Sequence, residues 1–138
     1  MTPWRVVDGR NGAILLFPKN GLRDVQGKSP RYVKAYCVGE QDYCLPKDAA
    51  VNYKRYAGPI ESFGDHMVVM QGLIPTHVVF EGTKGASMGD NAMRAKVGDT
   101  VLFVHSQANR PSYPHLIGGH GDHVWERGNL ADKPQTGL

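Results

Sequence analysis

Four of the six histidines fall in one stretch, HSQANRPSYPHLIGGHGDHVW, at His105, His115, His120 and His123. Histidine alone has an ordinary pKa near neutrality, so such a cluster offers a proton donor, a base or a metal ligand. Copper in particular favours imidazole donors. The spacing H-x9-H-x4-H-x2-H matches no zinc motif, so a self-contained metal site, as in a small histidine-dependent hydrolase, is weakly supported. Each histidine also has a plain structural reading. His105 ends a strand, is followed by Ser106 and Asn109, and reads as a hydrogen-bonded structural residue. His123 alternates with Val124 and reads as solvent-facing. His120 sits in Gly118-Gly119-His120-Gly121-Asp122, a turn whose glycines permit positive φ. His115 stands apart: Pro114 fixes its entry and the apolar pair Leu116-Ile117 follows it. In a strand His115 and Ile117 would share a face, a proton donor beside a steric wall. On the residues alone, a satisfied core histidine remains the leading reading of His115.

The elements that would position these residues are short. Apolar, β-branched and aromatic runs at Ala13–Phe17, Tyr32–Val38, Tyr43–Leu45, His77–Phe80 and Thr100–His105 lie between glycine, proline and Asn-Gly turns. Repeated short runs with turn signals point to an all-β sandwich or barrel. Residues 62–72 break the pattern. Phe63, Met67 and Met70 recur at helical spacing, Ser62 could cap the helix with Asp65 in its first turn, and Gly72 and Pro75 would end it. The methionines read as core filler. Residues 20–30, NGLRDVQGKSP, are polar and turn-rich and read as a linker. That leaves the strand before them without a domain, and the remaining runs fall short of the roughly seven strands of a Greek-key sandwich. The chain therefore reads as a piece of something longer, with apolar faces exposed and prone to association.

The formal net charge is only +3 and the basic residues are scattered, which argues against nucleic-acid binding. No apolar run approaches the roughly 20 residues of a membrane span, and the N-terminus does not read as a signal peptide. Cys37 and Cys44, the only cysteines, are spaced C-x6-C, which matches no common zinc or iron–sulfur pattern. Two half-buried thiols come first, and a disulfide across a tight turn comes next.

The stretches PWRVVDGRNGAILLFPKNGL, AYCVGEQDY, IPTHVVFEG, AKVGDTVLFVHSQANR and PHLIGGHGDHVW, with GDNAM between them, resemble the copper-containing, NO-forming nitrite reductases. The last two carry the resemblance most specifically, and the similarity runs from residue 3 to about 130. It implies an all-β, Greek-key, cupredoxin-like β-sandwich, incomplete in this chain, with one short helix near 62–72. Residues 1–20 would be the C-terminal strand of a first cupredoxin domain. Residues 21–138 would be the second domain, lacking its last strands. It further implies a periplasmic homotrimer with type 1 and type 2 copper. Nitrite would be reduced to nitric oxide and water with one electron, drawn from a small cupredoxin or cytochrome c, and two protons. The catalytic copper would lie between subunits. His115 and Ile117 match the histidine and isoleucine that the neighbouring subunit supplies to that pocket, the first as proton relay and the second as a limit on how nitrite sits.

The chain departs from the family pattern PWHVVSGMNGAI, whose histidine and methionine bind type 1 copper. Arg5 and Arg10 stand at those positions. A guanidinium is permanently protonated and has no lone pair for a metal. The remaining ligands would lie outside this chain, so the isolated chain is expected to bind no copper and to be inactive. The rival expectation is a non-catalytic, degenerate cupredoxin-like module.

Overall fold

The computed structural model describes residues 3–7 and 9–137. The chain forms a short helix α1 (Pro3–Val7), strand β1 (Lys34–Tyr43), helix α2 (Pro59–Met70), and strands β2 (His77–Phe80) and β3 (Val101–Ala108). The fold is a cupredoxin-like β-sandwich in which these strands form one sheet, in the order β2-β1-β3. β1 and β2 are antiparallel, with Glu40 opposite Phe80 and Tyr43 opposite His77. β1 and β3 advance in step. The Val33 N–H donates to the Thr100 carbonyl at 2.9 Å, the Tyr36 and Phe103 rings lie 5.8 Å apart, Gly39 faces Ser106, and the Asn109 amide donates to the Asp42 carbonyl. That sense of pairing is parallel, so the sheet is mixed, and the chain between the two strands supplies the crossover that a parallel pair requires.

Two expected strands, Tyr32–Val38 and Tyr43–Leu45, are one strand, β1. The polar residues between them do not break it because they find partners inside. Gln41 and Asp42 are buried, Gln41 donates to the Val6 carbonyl, and the Gly39 N–H donates to Glu81. The strand expected at Thr100–His105 extends to Ala108. Ala13–Phe17 is not a strand. Its apolar pattern has no paired neighbour, and Ile14 is 91% exposed. Ahead of it lies α1, which sequence reading did not foresee. The chain leaves α1 through Gly9, at φ +85°, where an added Cβ would stand 2.6 Å from the Tyr43 hydroxyl.

The expected helix is present but starts earlier. Pro59 opens α2, where its missing N–H costs nothing. The residue before it is Gly58, and Ser62 is no cap: its hydroxyl donates to the Pro59 carbonyl at 3.0 Å. Gly72 follows the helix end, its N–H donating to the Val69 carbonyl at 3.2 Å. The loop before α2 is tied to it through Asp65, whose Oδ2 accepts from Lys54 Nζ and from the Tyr56 hydroxyl, each at 2.7 Å.

The described residues fall into two compact units. The first comprises the residues up to Ala13 with Tyr36–Arg94 and Phe103–Ser112. Its buried apolar residue is Val79, beside the buried pair Gln41 and Asp42. The second comprises Ile14–Ala35, Ala95–Leu102 and the chain from Tyr113 onward. Residues 20–30 are turns, as expected, with Asp24 Oδ1 accepting the N–H groups of Gln26 and Lys28 at 2.9 and 2.7 Å. They are not a bare linker, because Leu22 within them is the buried apolar residue of the second unit. Many apolar side chains are left open, among them Leu16, Ile60, Val68, Ile74 and Val97.

Candidate functional site

The segment that carries the histidines is entered from the end of β3, and that end is pinned. Asp42 is buried, and its Oδ2 accepts from Arg110 Nε at 2.6 Å, an ion pair at the edge of the interior. Asn109 takes a left-handed φ of +79°, which asparagine tolerates better than most residues. The Ser112 hydroxyl donates to Glu40 Oε2 at 2.6 Å, and its N–H donates to Gln107 Oε1 at 2.7 Å. Sequence reading gave these residues no role. The signal was there: SQANR puts a run of polar groups at a strand end, which is stable only where each finds a partner.

Beyond Ser112 the character changes. His115 and Ile117 lie on a loop, and both are exposed. Tyr113 and Ile117 are each 91% exposed. The core-histidine reading of His115 is therefore set aside. The chain turns at Ile117-Gly118, with Gly118 at φ +85°. Leu116 leans back, and its Cδ2 lies 3.4 Å from where a Cβ on Gly119 would be. His120, in the glycine-rich turn, is exposed. His115 and Ile117 thus lie two residues apart on one exposed stretch, His115 just before the turn.

The other two histidines depart from expectation. His123 does not face solvent. It is half-buried, its ring centroid 6.1 Å from that of Trp125, because Val124 between them is held in a bridge to Gln135 by two 2.9 Å hydrogen bonds. His123 Nδ1 and Trp125 Nε1 are buried and make no hydrogen bond among the described residues. His105 likewise makes no side-chain hydrogen bond there and instead stacks on Phe103, centroids 6.2 Å apart. Desolvation holds its pKa below the usual histidine value, and the Glu40 charge opposes that shift less strongly.

Among the described residues, no three His, Cys, Asp or Glu side chains gather closely enough to hold a metal ion. Arg5 and Arg10 are both exposed and share one turn, the Arg10 N–H donating to the Arg5 carbonyl at 2.9 Å. Two guanidiniums there offer a metal no lone pair. Cys37 and Cys44 are free thiols, the first exposed and the second half-buried. Six residues separate them, Cys37 lying within β1 and Cys44 just past its end. No helix of the described residues is long and apolar enough to cross a membrane.

No family model matches the chain. Similar proteins are nevertheless plain. The chain is 54% identical over 136 residues to a copper-containing nitrite reductase of Alcaligenes faecalis, covering 99% of the chain and 36% of that protein. It is 51% identical over 138 residues to the copper-containing nitrite reductase of Cereibacter sphaeroides, covering 100% of the chain and 37% of that protein. A more distant relative of the same name, from Neisseria meningitidis, is 34% identical over 126 residues. The chain spans a little over a third of the length of the first two.

Proposed function

Since the chain belongs to the copper-containing nitrite reductase family, we propose that it supplies one wall of a nitrite-reducing pocket whose copper is held by residues outside this polypeptide. The observation that carries this reading is the outward turn bearing His115 and Ile117, a titratable imidazole and a bulky aliphatic side chain on a loop with no use for either in its own packing. In the reaction, nitrite takes up one electron and two protons, one N–O bond breaks, and nitric oxide and water leave. A bound copper would supply the electron. The His115 imidazole would deliver a proton to the departing oxygen and hydrogen-bond the bound anion, as a positioned general acid does. Ile117 narrows the orientations open to nitrite, so that the reacting oxygen faces the proton donor.

In this reading residues 1–20 close a first cupredoxin domain and 21–138 form most of a second. The pocket is completed in a periplasmic homotrimer, fed by a small cupredoxin or cytochrome c. The arginines at positions 5 and 10 exclude a type 1 copper built on those two residues. The isolated chain is inactive. Copper analysis of the purified chain tests this: substoichiometric copper and no intense visible thiolate band are expected, and one copper per chain with such a band refutes it. The second reading, a non-catalytic cupredoxin-like module, draws on Arg5 and Arg10 alone. Stop codons or unrelated sequence on both sides of this reading frame favour it; an upstream segment with a cysteine and histidine-bearing loops favours the enzyme.

A further inference from the structure

We propose that Gly118 is the positioning residue of the pocket: its left-handed backbone makes the reversal directly after Ile117 and so sets the aim of Ile117 and of His115, two residues behind, both exposed. The inference deepens the role given above to His115 and Ile117 and rests on it. Three observations carry it. Gly118 has φ +85°, in the region that side chains on an L residue disfavour, whereas Ile117 is not among the residues with positive φ. A β-branched residue at the tip resists that region, so the reversal falls to the residue after it. No atom lies within 4 Å of where a Cβ on Gly118 would sit, so the demand for glycine there is conformational and not steric. Gly119 differs. Its φ is ordinary, and a Cβ would only touch Leu116, which leans back over it. The two glycines thus divide the work: Gly118 makes the turn, and Gly119 leaves room for the Leu116 side chain beside it. A side chain at 118 that drives φ negative redirects the chain just after Ile117 and moves both outward side chains off their aim.

The test uses the full-length, copper-loaded, assembled protein that contains this chain, and reads kcat and KM for nitrite, bound copper and the unfolding midpoint. Gly118→Ala is expected to lower kcat about tenfold to a hundredfold, the scale of a 1 Å misplacement, with copper content unchanged. Gly118→Asn is expected to recover most of that loss, because asparagine enters the left-handed region readily. Gly12→Ala, at an exposed glycine with ordinary φ and open space around it, is expected to behave as the parent. His115→Asn and Ile117→Ala in the same protein keep the two ideas separable. If both leave turnover intact, the pocket reading fails. If they impair it while Gly118→Ala keeps the parent kcat and KM, only the positioning role fails. A Gly118→Asn protein that assembles with full copper yet turns over no faster than the alanine variant also overturns it. Should the alanine variant fail to assemble, the asparagine variant decides the matter against the parent: near-parent turnover supports the positioning role, and a loss beyond tenfold with full copper overturns it.

Discussion

The end of β3 and the turn at 113–119 carry equally polar or reactive side chains, yet they treat them in opposite ways. At the strand end, Asp42, Asn109, Arg110 and Ser112 are consumed in contacts with one another and with Glu40 and Gln107. On the turn, His115 and Ile117 are exposed. The contrast separates residues tied into the chain's own contacts from residues left open. Groups with internal partners answer to the chain's own stability, and exposed groups are free to serve the pocket proposed above.

The largest expected effect lies on the turn. In the assembled enzyme, His115→Asn should lower kcat roughly 10²- to 10⁴-fold, the usual weight of a proton donor, while shifting stability by no more than ~0.5 kcal/mol, as for an exposed side chain. Steady-state kinetics beside urea unfolding measures both. A large loss of stability with modest loss of rate would erase the contrast. At the strand end the pattern should invert. Arg110→Ala leaves the Asp42 carboxylate buried without its cation and should cost about 3 kcal/mol in urea unfolding, at the low end for a broken buried pair because Arg110 is itself partly exposed. Its effect on kcat should be small once unfolded protein is accounted for.

The clasp through Asp65 sharpens the comparison with a pH readout. Desolvation, then the hydrogen bond to Asp65 and its charge, push the Tyr56 phenol up to about 12. Hydrogen bonds from Lys54 and Tyr56 hold the Asp65 carboxyl below its usual value. The signs follow. The Asp65 contribution is present above the ordinary carboxylate pKa and disappears as pH falls through the lowered one. The Tyr56 contribution is present below the ordinary phenol pKa and is lost as pH rises toward about 12. In an ultraviolet titration, one of the six tyrosines should ionise last, and Asp65→Asn should bring it back among the others. Ionisation of all six together would discount the clasp.

The smallest effect concerns the thiols. Burial first, then the Asp42 charge, raise the Cys44 pKa, while Arg110 pulls it down. Cys37, which is exposed, should react with a disulfide reagent at neutral pH well before Cys44. In Arg110→Ala, Cys44 should slow further, reporting on the same ion pair from a second side.

Much of this was legible in the residues. Short apolar and β-branched runs ended by turn residues located β2 and β3, and helical spacing of Phe63, Met67 and Met70 located α2 to within a few residues. The misses share a cause. Ala13–Phe17 has a strand's composition, but a strand also needs a paired neighbour, and pairing is not local. Gln41 and Asp42 looked like a break in β1 because sequence does not reveal that Val6 accepts from Gln41 and that Arg110 pairs with Asp42 Oδ2. His123 looked exposed by alternation and is half-buried because the distant Gln135 pins Val124. For the site, residue types and the Gly-Gly turn pointed to 115–119, while the family resemblance singled out His115 and Ile117. The partners of Asp42 and Glu40, far away in sequence, could come only from the fold.

The central claim is that the imidazole on this turn serves a metal held by another polypeptide surface. A crystal structure of the assembled, copper-loaded protein, with copper located by anomalous scattering, tests it most directly. The account predicts copper ligated by residues outside this chain, with the His115 ring and Ile117 side chain from a neighbouring copy facing its open position. Finding the turn in bulk solvent, remote from every copper ion in the assembly, would contradict it.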